Sequence, residues 1–290
     1  ISPFAPGPGP DVYLRPMMTK LSELLGQNVV LDNKVGFGGS LAAQQVVRST
    51  PDGYTMTLVT NSNIVQRFIQ KDIGYDPLSD FSHVSQITLG ASLLVVPSDS
   101  PYKTVEELIA AAKANPGKLS YASAGTAGSS HVMGTFFNMS IGINTLHVPY
   151  KGGGPALNAV LGGEVQITFP AVAVGSPHVK AGRLRALGFT GASRVASLPD
   201  VPTIAEAGVP GYRFDSGWHA WFAPAKTPDA IIQRLNAGFT AALKSPEILE
   251  KLTSLGAEVK TSTPAEFAAH LKSETVKMRA LVKASGAKVE

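Results

Sequence analysis

The amino-acid sequence predicts an α/β protein of two domains. Short apolar runs alternate with helix-like segments along most of the chain, and this alternation favours parallel sheets covered by helices on both faces. The chain has 290 residues, which suits two domains of ordinary size. Hydrophobic residues make up 44% of it and charged residues 16%, a balance typical of proteins with a well-packed core.

The predicted strands are short runs rich in Val, Ile, Leu and Phe, which suit a pleated and largely buried surface. In chain order they cover residues 29–31, 54–59, 93–97, 119–122, 144–148, 165–169 and 185–189. The loops that follow them are rich in Gly, Pro, Ser, Thr or Asn, residues that end strands and begin helices.

The helices are predicted from capping residues and from 3.6-residue periodicity. Asp11 is expected to be the N-cap of the first helix, Thr60–Asn63 cap another, and Thr104 with Glu107 resembles a capping box. Further helices are predicted at 41–48 and 104–114 and from about 131, 155 and 172. Two long helices, at 228–244 and 265–284, make the end of the chain mostly helical.

The domain boundaries are predicted where the composition changes. We place one domain at 1–99 plus 220–290 and the second at 100–219, with boundaries at Ser98–Pro101 and Gly217–His219. Two crossings between the domains would form a hinge. Because ligands favour interdomain crevices and the carboxyl ends of parallel strands, we expect a ligand cleft between the domains.

Composition excludes several classes of protein. The chain has no Cys, which excludes thiol catalysis, disulfides and Cys-ligated zinc. Its six His residues show no HExxH or i,i+4 pattern, so we expect no metal and no cofactor. The formal net charge is +4, but Lys and Arg form no stripe, so we expect no nucleic-acid partner. A mild positive excess suits a protein that binds small anions, and it suits an ordinary solvated surface equally well.

Targeting signals are also informative. No run of about 18 apolar residues occurs, so we expect no direct membrane insertion. The chain begins inside what resembles its first strand. We therefore expect a processed leader and a few mature residues to precede it.

Candidate ligand contacts lie in loops that follow predicted strands and lead into helices. There are five of them, at 3–11, 60–63, 123–131, 149–155 and 169–171. Helix N-termini carry unpaired N–H groups and a partial positive charge, which favour anions. If these loops face one cleft, its lining of N–H groups and hydroxyls with few charges would bind a carboxylate well and catalyse poorly.

Motifs for catalysis are weak. There is no Walker A pattern, and Gly36–Gly39 does not form GxGxxG. Tyr121–Gly125 resembles a nucleophile elbow, but Tyr121 replaces the first Gly, so an ordinary strand-to-helix turn is the preferred interpretation. His131 opens a helix, which favours a neutral hydrogen-bonding imidazole over a base.

Several other residues admit two interpretations. Tyr150 and Lys151 precede a Gly-rich turn and would be either site residues or a packed Tyr and a solvated Lys. Trp218, His219 and Trp221 straddle the second crossing, and we expect them to serve packing rather than ligand contact.

Long sequence blocks resemble one family of receptors. They are PFAPGPGPD (3–11), NKVGFGGSLAA (33–43), YDPLSDF (75–81), YASAGTAGSSHVMGTFF (121–137), HVPYKGGGPALNAVLGGEVQITF (147–169), LPDVPTIAEAGVPGY (198–212) and FAPAKTPDAII (222–232). In this order they resemble the Bug-type, or TctC-type, extracytoplasmic solute-binding receptors of tripartite tricarboxylate transporters. The resemblance covers nearly the whole chain.

The resemblance implies a two-domain periplasmic-binding-protein fold (Venus flytrap, type II) with two interdomain strand crossovers, a periplasmic location and an organic-acid ligand. It also implies the residues that grip the ligand carboxylate, partly through ordered water. They are Phe4, Ala5, Pro6 and Gly7 in the first loop, Asn61 and Ser62 near the distal end of the ligand, and Thr126, Ser129, Ser130, His131, Tyr150, Lys151, Pro170 and Ala171 in the second domain.

Two departures from the family pattern bear on the ligand. The first loop usually reads PGGGTD, and here Pro8 and Pro10 replace Gly and Thr, which removes two backbone donors and a hydroxyl. The position after Phe169 is commonly Asp and here is Pro170, so a partner for an ammonium group is missing. We therefore expect a ligand without ammonium, such as an aliphatic or aromatic dicarboxylate. Arg67 would either pair a second carboxylate or be solvated.

The sequence thus predicts a monomeric, non-enzymatic periplasmic receptor whose partners are a small carboxylate and the permease subunits of a tripartite transporter. Two alternatives stay open. One is a ligand sensor for a signalling partner, which would use the same pocket. The other is an α/β hydrolase or transferase, for which no nucleophile, base and orienting group can be assembled from these residues.

Overall fold

The computed structural model describes residues 1–4, 6–7, 10–36, 39–126, 129–215, 217–254 and 257–284. Backbone contacts divide them into two compact units. The first unit comprises Ile1–Leu89 and Trp218–Ala280, and the second comprises Gly90–Gly217 together with the end of the last helix from Leu281. Each unit is therefore assembled from two stretches that are distant in sequence.

The elements alternate as the sequence suggests, with more strands than expected. In chain order they are α1 (Asp11–Leu25), α2 (Ser40–Val47), β1 (Thr57–Thr60), α3 (Asn61–Ile69), β2 (Phe81–Gly90), β3 (Leu93–Pro97), α4 (Val105–Ala114), β4 (Ser120–Ser123), α5 (Ser129–Ile141), β5 (Leu146–Pro149), α6 (Gly153–Leu161), β6 (Ile167–Thr168), α7 (Val172–Lys180), β7 (Leu184–Phe189), β8 (His219–Pro224), α8 (Asp229–Leu243), α9 (Pro246–Ser254), β9 (Ala257–Val259) and α10 (Pro264–Ala284).

The two chain crossings lie next to each other. They fall at Leu89/Gly90 and Gly217/Trp218, and Gly90 N–H donates to Gly217 O at 2.8 Å. The first crossing comes before β3, whereas the sequence analysis places it after β3, at Ser98–Pro101. Strand β3 belongs to the second unit because it is hydrogen-bonded to β6 and β7 of that unit.

The sheet of the first unit has the strand order β1-β8-β2-β9. Strand β8 is antiparallel to both β1 and β2. The expectation of a parallel sheet is wrong for this unit. The strand inserted between β1 and β2 arrives from the second crossing, so its direction follows from the path of the chain and not from a local βα repeat.

The sheet of the second unit is mixed, with the order β5-β4-β6-β3-β7. Strand β4 runs parallel to β5 and β6, as the βα alternation predicts. Strand β3 runs antiparallel to β6 and β7. The parallel part contains three of the five predicted strand-to-helix loops, those that follow β4, β5 and β6.

Several local predictions need correction. Residues 29–31 form no strand; a single parallel bridge joins Ser2 to the neighbouring Asn33. Strands β2 and β8, the short strand β9 and helix α9 are additions to the predicted set. The last two long helices match the prediction to within one residue at each end.

Buried aromatic and aliphatic side chains fill each unit. In the first unit Trp221 stacks on Phe239 with ring centroids 5.2 Å apart. In the second unit Phe189, Leu93 and Val160 lie in a separate fully buried cluster. Trp218, which like Trp221 belongs to the first unit, is also fully buried, so both Trp residues serve packing, as predicted. Within the described part of the chain, no helix has the length and apolar character needed to cross a membrane.

Candidate functional site

The first loop of the first unit is held by a buried carboxylate. Helix α1 begins at Asp11 with Pro10 as its N-cap, so Asp11 does not cap the helix as expected. Its Oδ2 instead accepts from Gly7 N at 3.0 Å and from Arg15 Nε at 2.6 Å, while Oδ1 accepts from Asn33 Nδ2 at 3.2 Å. Asn33 Nδ2 also donates to Phe4 O at 2.9 Å, which ties both ends of the loop to one site.

Asp11 stays ionised in this environment. Burial alone would raise the pKa of its carboxyl, because a buried charge loses hydration. The hydrogen bonds from Gly7 N, Arg15 and Asn33 and the charge of Arg15 outweigh burial, and the pKa of Asp11 is lowered. The carboxylate is therefore a fixed anchor of the loop.

The described N–H groups of residues 4–7 already donate hydrogen bonds within the protein. Gly7 N donates to Asp11, Phe4 N donates to Ser2 Oγ at 3.3 Å, and Pro6 has no N–H. Ala5, which the family resemblance also places at the ligand, lies outside the described residues, as does Pro8. Donation to a ligand by Phe4 or Gly7 would therefore require one of these internal bonds to open.

Three helix N-termini of the first unit meet at the first loop. A Cβ built on Gly39, which precedes α2, would lie 3.2 Å from Pro3 Cβ and 3.1 Å from Asn63 Nδ2. Gly39 has φ +96°, a conformation that strains any residue with a Cβ, and the surrounding space is also tight. The start of α2 is thereby packed between the first loop and the start of α3.

The cap of α3 is the one that the sequence predicts. Thr60 Oγ1 accepts from Ser62 N at 3.2 Å, and Asn63 Oδ1 accepts from Thr60 N at 3.0 Å. Asn63 Nδ2 donates to Tyr75 Oη at 3.1 Å, and Tyr75 Oη lies 3.4 Å from Ser40 Oγ. Asn61 is buried and Ser62 half-buried at this end of the helix. Ser40 and Tyr75 are polar residues of this region that were not predicted from the sequence, whereas Asn63 was predicted as part of the cap.

Arg67 has a partner within the first unit. Its guanidinium lies 2.6 Å from Asp76 Oδ2, and 42% of the side chain is exposed. From the sequence we expected Arg67 to pair with a ligand carboxylate or to be solvated. In the structure its partner is the carboxylate of Asp76 in the same unit.

A half-buried histidine lies against the first loop. The Phe4 ring packs edge-on against His219, with centroids 5.3 Å apart. His219 Nδ1 lies 2.5 Å from Tyr13 Oη and 3.1 Å from Thr88 Oγ1. Burial lowers the pKa of His219 to about 4, so the imidazole is neutral at physiological pH.

In the second unit, three candidate loops lie at one sheet edge. Strands β5, β4 and β6 are adjacent and parallel, so their carboxyl ends point the same way. The loops that follow them carry Thr126–His131, Tyr150 with Lys151, and Pro170 with Ala171. The topology thus brings together the second-domain residues that the sequence analysis selects. The carboxyl edge of a parallel sheet is where α/β proteins bind ligands.

The loop after β4 presents hydroxyl groups. Ser130 Oγ accepts from Ala124 N at 2.9 Å and keeps its own proton for an acceptor. Ser129 and Ser130 are half-buried, and Thr126 is exposed. Ser123 Oγ lies 2.6 Å from His147 Nε2. Neither Ser123 nor His147 is among the residues that the resemblance assigns to the ligand.

Two imidazoles stack beneath this loop. His131 and His147 have ring centroids 3.6 Å apart and an interplanar angle of 4°. Burial and the neighbouring His147 lower the pKa of His131 to about 4, and burial also lowers the pKa of His147. Both rings are therefore neutral at pH 7. This agrees with the neutral His131 that the sequence predicts.

The other two loops are held by backbone bonds. Tyr150 N donates to Ser123 O at 2.9 Å, and the half-buried Tyr150 ring packs against the core. Lys151 is exposed. Pro170 O accepts from Leu93 N at 2.9 Å, and Ala171 forms a bridge with Ser92.

The arrangement in the second unit does not form a catalytic triad. Ser123 and His147 are in contact as a nucleophile and its base would be, but the described contacts of His147 include no carboxylate to orient it. Among the described residues, no group of three or more His, Asp or Glu side chains could hold a metal ion. The chemistry offered is hydrogen bonding to an anion.

Comparison with known proteins gives one family. The profile of the family described as "Tripartite tricarboxylate transporter family receptor" matches residues 13–287. The periplasmic binding protein BugD is 31% identical to the chain, with a TM-score of 0.80 over 100% of this chain and 97% of its own.

Two further solved structures contain bound acids. Rpa4515 of R. palustris, solved with adipate, is 34% identical with a TM-score of 0.82, covering 99% of this chain and 97% of its own. MatC of Rhodopseudomonas palustris, solved with bound malate, is 29% identical with a TM-score of 0.78, covering 97% and 98%. Both ligands are aliphatic dicarboxylates.

Proposed function

The chain belongs to the receptor family of the tripartite tricarboxylate transporters, and from this premise we propose that it captures a dicarboxylate in the periplasm. The members of this family are solute-binding proteins and not enzymes. The observation that carries the proposal is the sheet edge of the second unit, where three loops place hydroxyl and N–H groups after parallel strands. Similar chains bind adipate and malate.

The electrostatics of this edge favour an anion. The loops 124–131, 150–152 and 169–171 contain no Asp or Glu, and Lys151 is the one cation in their sequences because the imidazole of His131 is neutral. Preorganised N–H and O–H donors offset the hydration that a carboxylate loses on binding. In this proposal Thr126, Ser129 and Ser130 donate to one ligand carboxylate, and Tyr150 and Lys151 border it.

The first unit would supply a stiff wall. Phe4 and Gly7 are anchored through Asn33 and Asp11, respectively, and Asn61 and Ser62 begin a capped helix. We propose that these residues face the distal part of the ligand across an interdomain cleft. Ligand binding would favour the closed form of a two-state hinge, and that form would dock on the permease subunits.

Pro170 restricts the class of ligand. No acidic side chain stands in the three loops to accept from an ammonium group. A dicarboxylate without an amino group, aliphatic or aromatic, therefore fits better than an amino acid. A receptor that presents the same ligand to a signalling partner would use the same contacts.

A thermal-shift screen of the purified chain tests the proposal. The panel would contain C4–C6 dicarboxylates, citrate, benzoate, the phthalate isomers, aspartate and glutamate. A ligand at about 100 times its Kd adds about 2.7 kcal/mol to the free energy of unfolding. A shift with dicarboxylates that is weaker in Ser130→Ala and absent with aspartate and glutamate is the expected result.

Two other outcomes are informative. Aspartate or glutamate binding as tightly as a dicarboxylate would refute the assignment of a ligand without ammonium. If no acid shifts the melting temperature, the protein is unfolded and its released small molecules are analysed by mass spectrometry. Absence of any carboxylate there would refute the proposed function.

A further inference from the structure

Ser123 has one hydroxyl proton and three polar neighbours. Its Oγ lies 3.0 Å from Gly125 O, 3.2 Å from Gly125 N and 2.6 Å from His147 Nε2. A carbonyl oxygen only accepts, and a backbone N–H only donates. One assignment makes all three contacts hydrogen bonds: Ser123 donates to Gly125 O, and both Gly125 N–H and His147 Nε2–H donate to Ser123 Oγ.

This assignment fixes the tautomer of His147. With the proton on Nε2, the free basic nitrogen is Nδ1. Protonation of the ring at Nδ1 therefore leaves the bond to Ser123 intact. A histidine bound through its basic nitrogen would lose that bond on protonation.

The surroundings allow only one of the two imidazoles to gain an additional proton and become positively charged. His131 on α5 stacks on His147 at 3.6 Å, so two positive rings would repel strongly. Tyr121 on β4 is a further titratable side chain packed against them, and its ring centroid is 5.0 Å from that of His147 and 6.3 Å from that of His131. Burial raises the pKa of Tyr121 to about 12, so it contributes no charge. Lys151, on the loop after β5, is exposed.

The loops 124–131, 150–152 and 169–171 contain no Asp or Glu that could stabilise an imidazolium. A ligand carboxylate at the hydroxyl groups of the same loop would be the missing negative charge. Its arrival would raise the proton affinity of the pair, because an opposite charge nearby favours the charged form.

We propose that His147 is a positioning residue of the carboxylate site, holding Ser123 and its loop through Nε2–H while Nδ1 takes up a proton when the ligand binds. The second half of the inference, proton uptake at Nδ1 on ligand binding, rests on the proposed function. The first half, the bond from Nε2–H to Ser123, concerns the protein without ligand. The two halves can be tested separately.

The tautomer is tested on the ligand-free protein. Long-range ¹H–¹⁵N NMR correlations of the imidazole nitrogens distinguish Nε2–H from Nδ1–H. We expect the Nε2–H form for His147, with a signal that changes in Ser123→Ala. An Nδ1–H tautomer would overturn the assignment whatever the ligand proves to be.

Proton uptake is tested by calorimetry with adipate and with malate in two buffers of different ionisation enthalpy at pH 6 and pH 8. Wild type should take up between zero and one proton at pH 6 and less at pH 8. His147→Gln retains an amide N–H near the position of Nε2 but cannot be protonated. It should bind within about threefold of wild type at pH 8 and take up fewer protons at pH 6.

Two further variants separate positioning from general damage. His147→Phe keeps a ring on His131 but has no donor, and it should bind about tenfold more weakly at both pH values. His178→Gln removes a histidine elsewhere in the second unit and should match wild type. Equal proton uptake by wild type and His147→Gln would refute the linkage. If wild type binds neither acid nor any other member of the carboxylate panel, the proposed function fails together with the linkage, and the tautomer alone remains established or refuted.

Discussion

The candidate loops of the two units are built differently. In the first unit the polar groups mostly bond to one another: Gly7 to Asp11, Phe4 to Asn33, and Thr60 to Asn63. In the second unit, hydroxyl groups lie at the carboxyl ends of the parallel strands, and the hydroxyl of Ser130 retains its proton for donation. The loops of the first unit thus form a rigid frame, whereas the loops after β4, β5 and β6 form a donor surface with N–H and hydroxyl groups.

The largest expected effect concerns packing behind the donor surface. A Cβ on Gly134 in α5 would overlap the Tyr121 ring of β4. Gly134→Ala should therefore lower the free energy of unfolding of the second unit by about 3 kcal/mol, the upper range for overpacking. Denaturant titration measures this loss.

Gly154→Ala is the matched control for that prediction. Gly154 lies in α6, and a Cβ there would have no neighbour within 4 Å. The substitution should stabilise the protein by about 0.5–1 kcal/mol, because Ala is the better helix former. Equal effects of the two substitutions would refute the packing argument.

The rigid frame of the first unit depends on Asp11. Asp11→Ala leaves the partners Gly7 N, Asn33 and Arg15 without their acceptor, and it should cost about 2 kcal/mol of stability and weaken dicarboxylate binding. Glu247→Ala removes another acid with a basic partner four residues later, Lys251, but the pair is exposed. That loss should be about 0.5 kcal/mol or less. If both variants unfold at the same denaturant concentration, Asp11 is no anchor.

Desolvation of the half-buried His219 makes the stability of the first unit depend on pH. Its pKa is about 4 in the folded protein and near 6.5 when unfolded, so the unfolded chain binds more protons between these values. Stability should be fully present above pH 6.5 and should fall by about 2 kcal/mol between pH 7 and pH 5 through this group alone. His219→Asn, which keeps an acceptor near Nδ1, should flatten that part of the profile even if it lowers stability overall. An unchanged slope would mean that His219 is protonated in the folded state.

The smallest expected effect concerns backbone strain. Lys226, after β8 in the first unit, has φ +67° and is the one non-Gly residue with positive φ in the described part of the chain. Lys226→Gly should stabilise the protein by up to about 1 kcal/mol, because an L side chain is disfavoured there. Lys244→Gly, at a position with φ −81° at the end of α8, should not stabilise it. Thermal unfolding of both variants checks this difference.

Much of the donor surface was predictable because its signals are local. A strand followed by Ser, Thr and Gly and then by a helix indicates a loop at a sheet edge, and three such loops of the second unit do lie together. The contact between Ser123 and His147 was not predictable in the same way, because 24 residues and a whole helix separate them. The block that begins at His147 was visible, but nothing in it marks that side chain as a partner of Ser123.

The rigid frame of the first unit was harder to predict from the sequence. Asp11 looks like an N-cap because Asp often caps helices, yet Pro10 takes that position and frees the carboxylate to bind the loop. Arg67 looks available for a ligand until Asp76 is brought beside it. These errors share one cause, since each side chain has more than one acceptable partner and the fold decides which is near.

The sequence by itself determined the α/β class, the caps at Thr60 and Thr104, the loops that follow the parallel strands and the family. All of these depend on residues close to one another in the chain or on long ordered blocks. The tertiary structure alone decided the direction of β8 and β3, the first crossing at Gly90, and the partners of Asp11, Arg67 and His147. The physical reason is that strand pairing and buried polar contacts join residues far apart in sequence, and their geometry exists only once the chain has folded.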